Sequence, residues 1–174
     1  MTDITIRPWS TGDLPLLIRA NDVAMTTHLA GPESDEEVCA RQSRYLRLWE
    51  EGGARMFVIV ADGQSVGGIG WWDTQWRGDD VHETGWFVLP EAQGRGIARR
   101  ALALIIEDAR THGNAKLLAA FPAVDNEPSN ALCRTSGFTH VAVESFPFRG
   151  QTLLVNAWVL ELERDSSTLA EPRP

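Results

Sequence analysis

Apolar and polar positions alternate through Ile4-Thr5-Ile6-Arg7-Pro8-Trp9, the period of a short strand. Ser10 and Asp13 then open a helix through Leu14, Leu17 and Ile18, where Pro15 is tolerated because it falls in the first turn. The same capping spacing returns at Ser34 and Glu37. The helix behind it carries Val38, Tyr45, Leu46 and Trp49 on one side and stops at Gly52-Gly53. From there the period shortens to that of strands. Residues 56–61 and 66–72 flank the turn Asp62-Gly63, and a polar stretch, 73–80, reads as a loop before a third strand at 81–89. These three are expected to form an antiparallel meander.

Beyond the third strand, Ile97, Ala101, Leu104, Ile105 and Ala109 mark a helix that ends near His112-Gly113. A strand at 116–121 follows, and because a helix crosses over to it, it should run parallel to the 81–89 strand. A short helix from Asn126 or Pro128 to Ser136, closed by Gly137, precedes strands at 141–145 and 153–160 joined near Arg149-Gly150. The pattern is α/β of the α+β kind: a mixed sheet of six to seven strands with about four helices. The 174 residues divide into a single domain, 1–164, and a polar, Pro-bearing tail, 165–174, expected to be disordered. No internal repeat is visible.

Composition narrows the function by exclusion. A formal charge of -8 speaks against nucleic acid as the partner. No apolar run approaches a membrane span and no basic start leads into an apolar core, so the expected location is the cytoplasm. Cys39 and Cys133 are too few for a disulfide framework, and His28, His82, His112 and His140 lack metal-ligand spacing, so no metal is expected. Seven tryptophans are many for this length, and each wants either a core or a ligand wall.

The chemistry concentrates where the third strand ends: Val88-Leu89-Pro90-Glu91-Ala92-Gln93-Gly94-Arg95-Gly96-Ile97-Ala98. Gly94 and Gly96 let backbone approach a bulky anion, and a helix starting there aims unpaired N–H groups and about half a positive charge at it. Arg95, Arg99 and Arg100 follow at once, a basic cluster in an acidic chain. The stretch reads as a pyrophosphate cradle. A dinucleotide fingerprint would need a third glycine where Arg99 stands, and a phosphate loop would need a Gly-Lys-Ser/Thr ending.

The order of elements and these residues resemble the GNAT superfamily of acyl-CoA-dependent N-acetyltransferases. The family signature, Gln or Arg, two residues, Gly, one residue, Gly or Ala, is met by Gln93, Gly96 and Ala98, and the segment from Asn126 through Ser129 to Gly137-Phe138 resembles the family's later motif. The resemblance implies acetyl-CoA or coenzyme A as co-substrate. It implies that backbone N–H groups of Gly94, Arg95, Gly96, Ile97 and Ala98 hold the pyrophosphate beside Gln93. It implies further that Trp86, Phe87 and Val88 pair with the pantetheine arm, and that Asn126 and Ser129 grip it from the other side. An ordinary helix cap is an equally good reading of Asn126.

Amide formation from a thioester needs a neutral amine, a polarised carbonyl and a proton for the leaving thiolate. Glu83 is the candidate base, because family members often place a glutamate on this strand and burial under Trp71, Trp72 or Trp86 would raise its pKa. A glutamate paired with an arginine on a strand face is the competing reading. His82 and Asp73 are weaker alternatives, and His82 should point to the opposite face. A strand-end amide near Phe87 or Val88 would donate to the developing oxyanion, as the fold usually arranges. For the thiolate, many relatives place a tyrosine seven residues after the Asn126 position. This chain has Cys133, either a proton donor or a packed core thiol.

The function implied is acetyl transfer to a small cationic amine or a peptide amine by direct attack in a ternary complex; the alternative is a non-catalytic acyl-CoA-binding module. Trp71, Trp72 and Trp76 with Asp73, Asp79 and Asp80 are a candidate acceptor pocket. Family members often pair through their terminal strands, which makes a homodimer an expectation.

Overall fold

Two-residue turns set the sheet in the computed structural model, which describes residues 2–162. Strand β1 (Ile4–Pro8) pairs antiparallel with β2 (Ala54–Ala61), and β2 turns back at Asp62-Gly63, with φ of 48° and 79°, into β3 (Gln64–Trp76). The next turn overturns the loop expected at 73–80. Arg77 and Gly78 take φ of 55° and 89°, a left-handed pair of the type I′ kind, so β3 continues directly into β4 (Asp79–Val88) with Trp76 opposite Asp79. The polar side chains there decorate a long hairpin.

Helix α1 (Leu14–Ala20), entered through a 3₁₀ turn at Thr11–Asp13, and α2 (Asp35–Glu51) lie between β1 and β2 in sequence. Ser34 caps α2 by accepting from the Glu37 N–H, Glu37 returns the bond to the Ser34 N–H, and Gly52 at φ 81° ends the helix. The cap and stop residues read from the sequence do what their spacing implies. Helix α3 (Ile97–His112) crosses from β4 to β5 (Leu117–Ala120), which runs parallel to β4. Helix α4 (Glu127–Thr135) leads to the last hairpin, β6 (Thr139–Phe148) and β7 (Gln151–Glu161), around Arg149-Gly150. The seven strands make one mixed sheet in the order β1-β2-β3-β4-β5-β7-β6.

Two apolar layers clamp the sheet. On one face α3 buries Ile97, Ala101, Leu102, Ile105 and Ala109 against Ile59, Ile69, Trp71 and Leu118, each fully buried Ile or Leu side chain contributing about 1.5–3 kcal/mol. Leu104, expected on that stripe, faces solvent, and Leu102 and Ile106 take the inward positions. On the other face α1 and α2 pack Leu16, Leu17 and Val38 on Met56 and Val58. Buried polar groups are tied down at the seams. Asp108 accepts from Arg55 at 2.7 and 2.9 Å and from the Trp71 indole at 2.8 Å, while Gln42 accepts from Trp9 at 2.6 Å and donates to the carbonyls of Ser10 and Thr11. The tail predicted at 165–174 lies outside the described residues.

Candidate active site

The parallel ladder between β4 and β5 is only two pairs long, His82 with Leu118 and Glu83 with Ala119. Past Glu83 the strands part, and the β5-facing edge of β4 has no strand partner. The parting thus begins at Thr84, short of the end of β4 at Val88. A cavity of about 600 Å³ opens there, lined on the sheet side by Glu83, Gly85, Trp86 and Phe87 and across from them by residues 120–123, Asn126 and Ser129. Its roof comes from elsewhere in the chain: Met25, Thr26, His28 and Leu29 before α2, Glu37, Arg41, Arg44 and Tyr45 along α2, and Phe148 and Arg149 at the β6–β7 turn.

At one end of the parting stands the glycine turn. Gly94 and Gly96 take φ of 72° and 71°, and a Cβ on either would meet no protein atom within 4 Å. Both glycines therefore serve a left-handed backbone beside open space, not a crowded one. Among the described residues, the backbone N–H groups of 94–98 donate to no carbonyl or side chain, so the N-terminus of α3 presents a run of unsatisfied donors. Gln93 does not face that space with its amide; its Nε2 donates to the Val88 carbonyl at 2.8 Å and straps the turn to the strand. Arg95 sits 3.6 Å from Asp62, and Arg100 donates to the Thr2 carbonyl.

Neighbouring residues on β4 have opposite fates. His82 is fully buried on the α3 face, its Nε2 accepting from the backbone N–H groups of Asn114 and Ala115 at 2.9 and 3.0 Å and its Nδ1 lying 2.8 Å from Asp73 Oδ1. It ties the α3–β5 loop to the sheet, and neither it nor Asp73 lines the cavity. Glu83 points the other way, into the cavity, where burial pushes its carboxyl up to about 7 against the partial offset of one hydrogen bond from the Trp72 indole at 3.2 Å. No arginine pairs with it among the described residues. Of the three tryptophans considered as its cover, Trp72 is the one in contact through a hydrogen bond.

Helix α4 divides the later motif between mouth and core. Asn126 caps the helix by accepting from the Ser129 N–H at 3.2 Å, and both residues line the cavity. Asn130, one turn on, is buried; it donates to the carbonyls of Ala123 and Asn126 and accepts from Asn156 and from the Trp158 indole, joining α4 to β7. Cys133 continues the stripe into the core beside Phe138, fully buried and outside the cavity lining, and burial pushes its thiol up to about 12. The shared stripe thus turns away from the opening as it advances.

The acceptor pocket expected at 71–80 is not assembled. Trp71 lies in the core, Trp76 donates to Glu144 and packs on Phe121, and Asp79 and Asp80 line a separate depression with Lys116 and Glu161 at the far end of β4. Trp72 alone of that set reaches the cavity. The roof residues were missed because the reading of α2 took in only its apolar stripe, and Arg41 and Arg44 lie off it. Several ties hold the roof: His28 Nδ1 lies 3.0 Å from Asp125 Oδ1, Arg149 donates to the carbonyls of Gly31 and Pro32 at 2.7 and 2.9 Å, and Glu33 pairs with Arg41 at 2.6 Å. No group of metal-ligating side chains occurs among the described residues, and no helix among them is long and apolar enough to cross a membrane.

A family model described as an acetyltransferase (GNAT) domain matches residues 3–139. No curated protein sequence matches the chain. Among solved structures, the fold is shared with an acetyltransferase from Salmonella typhimurium that modifies the N-terminal serine of 50S ribosomal subunit protein L7/L12 (TM-score 0.77, 19% identity, covering 92% of this chain and 95% of that one). It is shared also with spermidine N-acetyltransferase from Vibrio cholerae, solved in complex with CoA and spermine (TM-score 0.74, 21% identity, 91% and 95%). A ribosomal-protein-alanine N-acetyltransferase from Brucella melitensis is 27% identical over 90% of this chain and 99% of that one, with a TM-score of 0.75.

Proposed function

The chain belongs to the GNAT family of acetyltransferases, and from that premise we propose that it moves an acetyl group from acetyl-CoA to an amine held under the roof of the cavity, with Glu83 as the base. The observation that carries the reading is the coincidence in one cavity of an unpartnered β4 edge and a buried, unpaired carboxylate raised to about 7. Similar structures are solved with CoA or acetyl-CoA, and the amines their names give range from the N-terminal serine of a ribosomal protein to spermidine.

The residues present fit a diphosphate carried on a long amide arm. Free N–H groups at 94–98 match the anion, with Arg95 and Arg99 beside them. Trp86, Phe87 and Val88 offer the strand edge to the arm, and Asn126 and Ser129 stand across the slot. Bound there, the thioester supplies an activated acetyl carbonyl with a thiolate leaving group. Glu83 takes the proton that the attacking amine must lose, directly or through one water, and a value near 7 suits it to hold and release that proton at neutral pH. A main-chain N–H near Phe87 or Val88 faces the developing oxyanion. The thiolate leaves without a dedicated side-chain acid, because Cys133 is sealed in the core with its thiol raised to about 12.

Calorimetry with CoA and acetyl-CoA, followed by a thiol-release assay over an amine library, tests the reading. Binding of both and release of free thiol only with an amine present are expected. Binding without release under any amine favours the non-catalytic acyl-CoA module, and no heat with either nucleotide removes the cradle itself.

A further inference from the structure

Seven carboxyl, guanidinium or imidazole side chains line the cavity: His28, Glu33, Glu37, Arg41, Arg44, Glu83 and Arg149. Six are accounted for. Arg41 pairs with Glu33 at 2.6 Å, Arg149 lies 3.5 Å from Glu37, which also accepts from the Ser34 N–H, and His28 meets Asp125. Glu83 is the base. Arg44 has neither an ion pair nor a hydrogen bond among the described residues. One turn earlier on the same face of α2, the Nε of Arg41 is buried with no acceptor, although its Nη2 is engaged. Residues three apart on a helix lie side by side, so Arg41, committed to Glu33 and to the Tyr45 hydroxyl, adds its positive charge beside the uncommitted Arg44 guanidinium on one patch of the cavity.

Resting on the transferase reading above, we infer that the acceptor is a primary amine that also carries a carboxylate, which Arg44 holds, with the charge of Arg41 beside it, while the amine faces Glu83. The protein's acidic surface would suggest a cationic acceptor, but its aspartates at 79 and 80 lie outside this cavity and the carboxylates at 33 and 37 are already paired. A guanidinium fork matches a carboxylate with two parallel hydrogen bonds, whereas a polyamine brought to the same patch would meet repulsion. The carboxylate can belong to a free amino acid or to an acidic residue near a peptide N-terminus.

The test compares acceptors that differ only in that group. γ-Aminobutyrate is set against its amide, the peptide amide Ala-Asp-NH₂ against Ala-Asn-NH₂, and spermidine serves as the cationic reference; kcat and KM are read by thiol release. In at least one pair the carboxylate member is expected to be about tenfold or more better in kcat/KM; the pair that shows it identifies the source as small molecule or peptide. Arg44→Gln should reduce that preference to about twofold or less through KM, with kcat and the KM for acetyl-CoA little changed, and Arg44→Lys should restore part of it. Equal or better turnover of the amides or spermidine overturns the inference, as does a preference that survives Arg44→Gln. If acetyl-CoA binds and none of these acceptors is used, the inference falls and the transferase reading stands. If acetyl-CoA does not bind, both fall.

Discussion

Where β4 and β5 part, the groups on offer belong to the main chain: the N–H donors at 94–98 and the bare edge of β4 beyond Glu83. Under the roof, in the cavity beside Glu83, they are side chains, and they come from residues 25–33, from the Arg41 to Tyr45 turn of α2 just after them, and from the tip of the β6–β7 hairpin more than a hundred residues on. Main-chain donors are identical in every sequence, so an end built from them fits a ligand that does not vary, and its only sequence demand is the glycines that give the backbone its path. Side-chain donors differ at every position. An end built from them is where acceptor choice resides, and Glu83 stands at the border between the two.

Glu83→Gln breaks that border and carries the largest expected effect. Losing a general base costs on the order of 10²–10⁴ in rate, so kcat/KM should fall at least a hundredfold while calorimetry still finds acetyl-CoA bound. The pH profile sharpens the assignment. Burial has raised the carboxyl from 4.5 to about 7, so between those values the folded chain holds a proton that the unfolded chain has lost. Its contribution to stability is present in full below 4.5 and declines as pH rises toward 7, whereas the base form appears only above about 7. The native enzyme should gain about tenfold in kcat/KM per pH unit below that value and level off above it, and the variant should lose this limb. A limb unchanged in Glu83→Gln would move the base elsewhere.

Gly96→Val attacks the other end. A β-branched residue at φ 71° is strained by about 1–3 kcal/mol, and its side chain would stand in the open space that the unsatisfied N–H groups face. Affinity for CoA should weaken about tenfold or more by calorimetry, with the kcat for a given acceptor changed far less once acetyl-CoA saturates. An unaltered affinity in folded material would mean that the ligand does not occupy that space.

These two ends were also unequally legible. The left-handed path of the glycine turn could be read from a few consecutive residues, Gln93 to Ala98, and the face that Glu83 takes from one strand position. Capping at Ser34 and the parallel crossover through α3 were local or nearly so, and they came out as their spacing implies. The 73–80 stretch failed because its turn is Arg77-Gly78, and an arginine at φ 55° leaves no mark in a sequence of polar residues. The roof failed for a different reason. Arg44 on an exposed helix face and Arg149 in a hairpin turn acquire meaning only when the fold brings both over the same cavity.

Cys133→Ala carries the smallest expected effect on turnover and tests where the functional part of α4 stops. Asn126 and Ser129 line the cavity, Asn130 is spent on Ala123, Asn156 and Trp158, and the thiol lies beyond them in a layer with Phe138. A thiol raised to about 12 keeps its proton at every pH at which the protein would work, yet with no exposed surface it has no path to pass that proton to a thiolate in the cavity. The substitution removes one buried sulfur from the core, so a loss of about 1 kcal/mol is expected in denaturant unfolding. Saturating kcat should stay within about twofold. A hundredfold fall in kcat with CoA affinity intact would show that the helix moves to expose the thiol during turnover, and that the acetyl-transfer chemistry reaches past Asn130 into what this structure presents as packing.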